Sequence, residues 1–131
     1  MDDTAGKSQS PLTPPVSVPA AEAQITLEDF KKLSLRLGTI VSAETHPNAE
    51  RLLVLKVDIG EPAPRQLVAG VRMSYPDPAQ LVGRQVVVVA NLKPAMLRGV
   101  ESQGMVLAAS DDTAIALVSP DRSIKPGSTV K

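Results

Sequence analysis

The stretch Val86–Ser110, VVVVANLKPAMLRGVESQGMVLAAS, decides how the rest of the chain is read. It holds two apolar runs, Val86–Ala90 and Met105–Ala109, and both have the composition of buried strands. Short β-branched runs bounded by Gly and Pro read as strands rather than helix. Between them lies a polar loop with Lys93, Arg98, Ser102 and Gln103, shaped by Pro94, Gly99 and Gly104. A rigid strand–loop–strand unit that presents two cations and several hydrogen-bonding groups suits a polyanion. It does not resemble a catalytic centre.

The surrounding sequence supplies more strands. Leu35, Leu37, Thr39 and Val41 alternate with Arg36, Gly38, Ile40 and Ser42, which predicts a long first strand over Ser34–Glu44, bent at Gly38. The loop Thr45–Arg51 follows, with Pro47 and Asn48 as turn formers. Leu53–Asp58 alternates as strand two, Gly60–Pro64 is a turn, and Arg65–Ala69 is strand three. A short helix around Pro78–Val82, stopped by Gly83, precedes the valine run. After the second apolar run come a turn at Asp111–Asp112, a strand at Ala114–Val118 and a Pro-Gly-marked arm, Ser119–Lys131. Upstream, Thr26 caps a short helix within Ile25–Leu33; Asp29 completes a capping box and Phe30 faces inward.

Residues 1–24 contain Pro11, Pro14, Pro15 and Pro19 among Ser, Thr, Ala and Gln. Such a composition buries too little apolar surface to offset ordering entropy, so it reads as a disordered Pro-rich linker or tail. The domain is then 25–131. Five main strands bent at glycine, with a short N-terminal helix and another between strands three and four, predict an all-β, five-stranded OB-fold barrel. A β-sandwich would want more strands at more even spacing.

The formal charge is zero, yet it is unevenly spread. Residues 1–24 hold Lys7 against Asp2, Asp3 and Glu22, whereas Arg65, Arg72, Arg84, Lys93 and Arg98 face only Asp77 across 65–98. A local basic face can exist on a neutral protein. With no cysteine, neither a disulfide framework nor a zinc finger is available. No apolar run approaches the ~18 residues that span a bilayer. The acidic, polar start lacks a signal-peptide core, so a cytoplasmic protein is expected.

Catalytic chemistry finds no support. His46 is the one histidine, carboxylates are not clustered as metal ligands, and Ser102 has no base beside it. No phosphate loop occurs. The reading is therefore no catalytic residue, no metal, no cofactor and no small-molecule substrate. Aromatics are limited to Phe30 and Tyr75. Binding to single strands leans on base stacking, so this composition favours structured RNA held through phosphate, shape and a few polar contacts.

Several motifs together resemble the tRNA-binding domain family: Asn91-Leu92-Lys93-Pro94, Leu97-Arg98-Gly99-Val100 and Ser102-Gln103-Gly104-Met105. In order before them stand Leu37-Gly38-Thr39-Ile40, His46-Pro47-Asn48-Ala49, Val57-Asp58-Ile59-Gly60 and Arg65–Gly70. The resemblance covers about 25–131, including the Pro126-Gly127 ending, and is nearest to the methionyl-tRNA synthetase type. It implies an OB-fold homodimer that grips the outside of tRNA without reading an anticodon. Asp111–Lys131 and the start of the first strand would then form the dimerisation extension. It also implies Asn91, Lys93, Ser102, Gln103 and Met105 as tRNA-binding residues, with Arg98 a softer match; the uneven charge adds Arg65, Arg72 and Arg84 as a supporting basic face. Met96 stands where a basic residue is usual and Ala69 where Ser is common; both departures imply weaker affinity. The expected partners are tRNA, a second copy and a synthetase catalytic body, with no membrane. The alternative is a protein-binding module of the same fold, an export chaperone or synthetase-complex scaffold.

Overall fold

The computed structural model describes residues 22–131; all but the last three residues of the expected linker lie outside that range. Its longest strand, β1 (Leu35–Thr45), is the spine of the sheet. Against it and one another run β2 (Leu53–Asp58), β3 (Arg65–Ala69), β4 (Gln85–Val89) and, after the hairpin described below, β7 (Met105–Val106). Their order is β3–β2–β1–β4–β7, every pair antiparallel. The first half of β1 pairs with β4 and its second half with β2, so one strand serves both sides of a near-closed five-stranded barrel.

The valines of β4 form a continuous run because the strand is covered on both faces. Val86 and Val88 are fully buried in the barrel with Ile40, Leu53, Leu55, Val57 and Leu67. Val87 and Val89 point outward, where Leu35, Phe30, Leu107 and Val130 cover them. Each such side chain contributes roughly 1.5–3 kcal/mol of burial. The irregularity in β1 falls between Ile40 and Ser42, where the register with β2 shifts, rather than at Gly38. Gly38 answers to close approach instead: a Cβ there would run into the Val57 side chain.

Helix α1 (Leu27–Phe30) has the capping box expected: the Asp29 N–H donates to Thr26 Oγ1 at 3.0 Å and the Thr26 N–H to Asp29 Oδ2 at 3.4 Å. It is a single turn of four residues and packs only through half-buried Phe30. The second short helix is a 3-10 turn, Pro78–Leu81; Asp77 caps it and Leu81 plugs the barrel.

Two expectations change. The polar segment after β4 is not a loop but a second hairpin, β5 (Ala95–Leu97) with β6 (Val100–Ser102), joined through Arg98-Gly99. Both turn residues have positive φ, 54° and 91°, the conformation of a two-residue type I′ turn. Its strands are three residues long and mostly exposed, so no burial pattern announces them. The run Met105–Ala109 also splits. Only Val106 reaches the core, while Ala108 belongs to β8 (Ala108–Ser110), which pairs with β9 (Ile115–Leu117). The turn between them is held by the Asp111 carboxylate, which accepts from the Thr113 and Ala114 N–H groups; these bonds hold it below its ordinary pKa. Finally, β10 (Thr129–Val130) returns to pair with Arg36 and Leu35, filling the edge of β1 ahead of β2.

Candidate nucleic-acid interface

Closing the barrel requires the edges β3 and β7 to meet, and polar residues at the foot of the hairpin do this. The Val68 N–H donates to Ser102 Oγ at 2.9 Å, and that hydroxyl donates to the Gly104 carbonyl at 2.9 Å. The Gln103 N–H donates to the Gln66 carbonyl at 2.8 Å, while Gln103 Oε1 accepts from the Gln66 N–H at 3.1 Å. Ser102 is 3% exposed, so its bonds run within the fold. Gly104 follows with φ 144°, and a Cβ there would lie 2.8 Å from the Val89 carbonyl oxygen. Asn91 is also engaged on both sides of its amide. Oδ1 accepts from the Ser34 N–H at 2.9 Å and Nδ2 donates to the Lys32 carbonyl at 2.7 Å, tying the end of α1 to the start of the hairpin.

Against this bonded frame, Lys93 stands exposed, beside Leu92 (47% exposed) and Met105 (44%). Lys93 forms no ion pair among the described residues. It borders an apolar groove of about 360 Å³ formed with Val68, Leu97, Met105, Val106 and Ile115. Met96, at the position where a cation was expected, is 65% exposed, whereas Ala69 is buried in the core.

The three supporting arginines do not form one face. Arg65 is half-buried and paired with Glu61 at 2.6 Å; its guanidinium also donates to the Ala90 and Gln103 carbonyls, which makes it a brace for the hairpin foot. Arg84 lies over the Tyr75 ring, 5.8 Å from its centroid, and lines a depression with Arg122. Only Arg72 joins a sequence-predicted partner, Arg98, in a separate cleft of about 710 Å³.

That cleft lies between the His46–Leu52 segment and the hairpin tip. His46, 3% exposed, positions the two walls. Its Nδ1 accepts from the Asn48 N–H at 2.9 Å, which leaves Nε2–H to donate to the Leu97 carbonyl at 2.9 Å. The neutral Nε2–H tautomer is the one that satisfies both bonds. The Arg98 guanidinium reaches the Asn48 carbonyl at 3.4 Å. Arg51 also lines this cleft and was missed from sequence, where the Thr45–Arg51 segment reads as turn chemistry. The available signal was topological: in an OB-fold barrel the loop joining strands one and two flanks the binding face.

Among the described residues no group of three or more His, Cys, Asp or Glu could hold a metal ion. The arrangement offers an exposed cation and an adaptable thioether at the foot of the hairpin and a basic cleft at its tip.

Comparison with known proteins agrees with this geometry. Residues 35–129 match the family described as "Putative tRNA binding domain". The chain is 50% identical over 107 residues to a methionine–tRNA ligase of Thermococcus kodakarensis, covering 82% of this chain and 14% of that protein. It thus spans about one-seventh of the length of that relative. A methionyl-tRNA-synthetase-related protein of Pyrococcus horikoshii superposes with a TM-score of 0.77 at 31% identity, over 84% of this chain and 100% of the other. The chaperone CsaA of Bacillus anthracis superposes with a TM-score of 0.75 at 31% identity, over 83% and 100% respectively. From strand order to hairpin motif, this chain belongs to the tRNA-binding domain family.

Proposed function

We propose that this chain is a non-catalytic, dimeric module that holds the outside of a structured tRNA and assists an aminoacyl-tRNA synthetase, with the methionyl enzyme foremost. One observation carries the reading: Lys93 is exposed and forms no ion pair among the described residues, on a foot whose neighbouring polar groups, Asn91, Ser102 and Gln103, are bonded within the fold. Because the backbone beneath it is already rigid, meeting a phosphate orders the lysine side chain alone and not the loop that carries it. Met105 can rest against a ribose or base, Arg98 adds a second cation at the tip, and Asn91, Ser102 and Gln103 act by shaping the site. Half-identity to part of a methionine–tRNA ligase supports the synthetase connection. Residues 1–24 would serve as the tether that raises local concentration. The cytoplasm is the compartment this role implies; no helix among the described residues is long and apolar enough to cross a membrane.

Dimerisation would use Asp111–Lys131 and the start of β1, to which Ile25 (67% exposed), Leu27 and Leu33, just ahead of β1 in sequence, add exposed apolar surface. A gel shift with bulk tRNA at low and high salt, run beside light scattering, tests both parts. Retention that falls steeply with salt and the mass of two chains are expected; no retention in dilute buffer overturns the RNA reading, and a monomer at micromolar concentration overturns the dimer.

A second reading, a protein-binding module, draws on the apolar groove beside Lys93 and on the likeness to CsaA. An unfolded polypeptide that binds the module and competes with tRNA for it would favour that reading.

A further inference from the structure

We propose that the cleft lined by Arg51, Arg72 and Arg98 is a phosphate-oxyanion site, filled in the tRNA complex by a single backbone phosphodiester. The source of the phosphate rests on the tRNA reading above; the site itself rests on its own chemistry.

Three guanidinium groups share this cleft with one carboxylate, Glu50. None of the three arginines forms an ion pair among the described residues. Planar guanidinium groups left without a carboxylate match an oxyanion's geometry, since each can donate two parallel bonds to it. The backbone adds donors: no hydrogen bond among the described residues uses the N–H of Ala49, Glu50 or Arg51. Successive unclaimed N–H groups in a turn are the elements from which anion-binding concavities are made. No Phe, Tyr or Trp lines the cleft, and its one imidazole, His46, is buried and bonded at both ring nitrogens, so a base finds no aromatic platform there.

The backbone supplies a further indication. Arg98 is the one non-glycine residue with positive φ among the described residues, at 54°. Asn or Gly would adopt that turn position more readily. A long cation held there, with the tip secured by His46 to the opposite wall and the guanidinium donating to the Asn48 carbonyl at 3.4 Å, keeps its charge within the cleft. Strained backbone of this kind collects at ligand clamps.

The test compares Arg51→Gln/Arg72→Gln, Glu50→Gln and Lys93→Ala in the intact chain, measuring tRNA affinity against salt. A single shared phosphate, with Arg98 still in place, predicts that the double variant loses at most about one unit of salt slope, never two, and roughly tenfold in affinity. Its loss should add to that of Lys93→Ala, which borders different depressions. Removing the cleft's one carboxylate should tighten binding severalfold in Glu50→Gln, a gain that misfolding cannot imitate. Wild-type slope and affinity in the double variant, with Glu50→Gln neutral, overturn the site while leaving the tRNA reading intact.

Inorganic phosphate, titrated against amide and guanidinium proton shifts, separates the site from the source. Saturable shifts at Ala49–Arg51 that vanish in the double variant support the oxyanion site even if wild-type protein ignores tRNA, in which case the RNA reading alone falls. A flat phosphate titration together with unchanged tRNA slopes overturns the proposal.

Discussion

The foot and the tip of the β5–β6 hairpin use polar residues in opposite ways. At the foot, Ser102, Gln103 and Asn91 point their hydrogen-bonding groups into the fold, bridging β3 to β7 and α1 to the hairpin. At the tip, the backbone carbonyls of Leu97 and Arg98 are captured by His46 and Asn48, and this leaves the Arg98 side chain in the cleft. The foot therefore converts side chains into architecture, while the tip converts architecture into a presented side chain. Polar residues in a binding motif need not be the binding groups; several hold the frame that aims one or two cations.

The sharpest way to break this comparison is Ser102→Ala. It leaves the buried Val68 N–H without its acceptor and the Gly104 carbonyl without its donor, a loss of about 1–3 kcal/mol. Urea unfolding should show the drop, while tRNA affinity per folded molecule holds. A fall in affinity at unchanged stability would turn the foot into a contact surface. Asn91→Ala should have a smaller effect, about 0.5–1.5 kcal/mol, because the Ser34 N–H and Lys32 carbonyl are near water that can replace the amide.

Lys93→Ala probes the foot's cation, which is exposed and forms no ion pair among the described residues. Stability should stay within about 0.5 kcal/mol, as for other surface changes. The salt slope of tRNA binding should fall by about one unit. A slope that does not move removes Lys93 from the contact set. A stability loss of the size seen with Asn91→Ala would instead make Lys93 another part of the frame.

How much of this was legible in the sequence follows from burial. Val86–Val89 and Leu53–Val57 were readable because their patterns reflect a core that leaves little choice of register. Ile40 was not: strict alternation set it on the face of Arg36 and Ser42 and set Val41 with Leu35, yet Ile40 is fully buried and Val41 44% exposed, beside the register shift in β1. The hairpin was not, since its six strand residues are largely exposed and its type I′ turn carries Arg where Asn or Asp is the usual signal. Motif residues could be located to the position, yet their direction could not. Nothing in Ser102-Gln103 distinguishes a hydroxyl that meets RNA from one that closes a barrel, because that depends on how near β3 lies to β7. Arg65 was hidden for the same reason: its partner Glu61 is four residues away, but the Ala90 and Gln103 carbonyls are long-range. Arg51 entered the site only once the loop after β1 was folded beside the tip.

The smallest expected effect tests the tip itself. In Arg98→Asn the side chain suits a φ of 54°, so the turn relaxes and the fold should gain a few tenths of a kcal/mol, with about 1 kcal/mol as an upper bound. The guanidinium leaves the cleft at the same time, so tRNA should bind more weakly. Stability up and affinity down in one variant is the signature of a strained residue retained for its charge. If stability falls instead, the 3.4 Å bond from Arg98 to the Asn48 carbonyl outweighs the backbone strain. The tip would then resemble the foot, with Arg98 serving to bind two loops together rather than to present a cation.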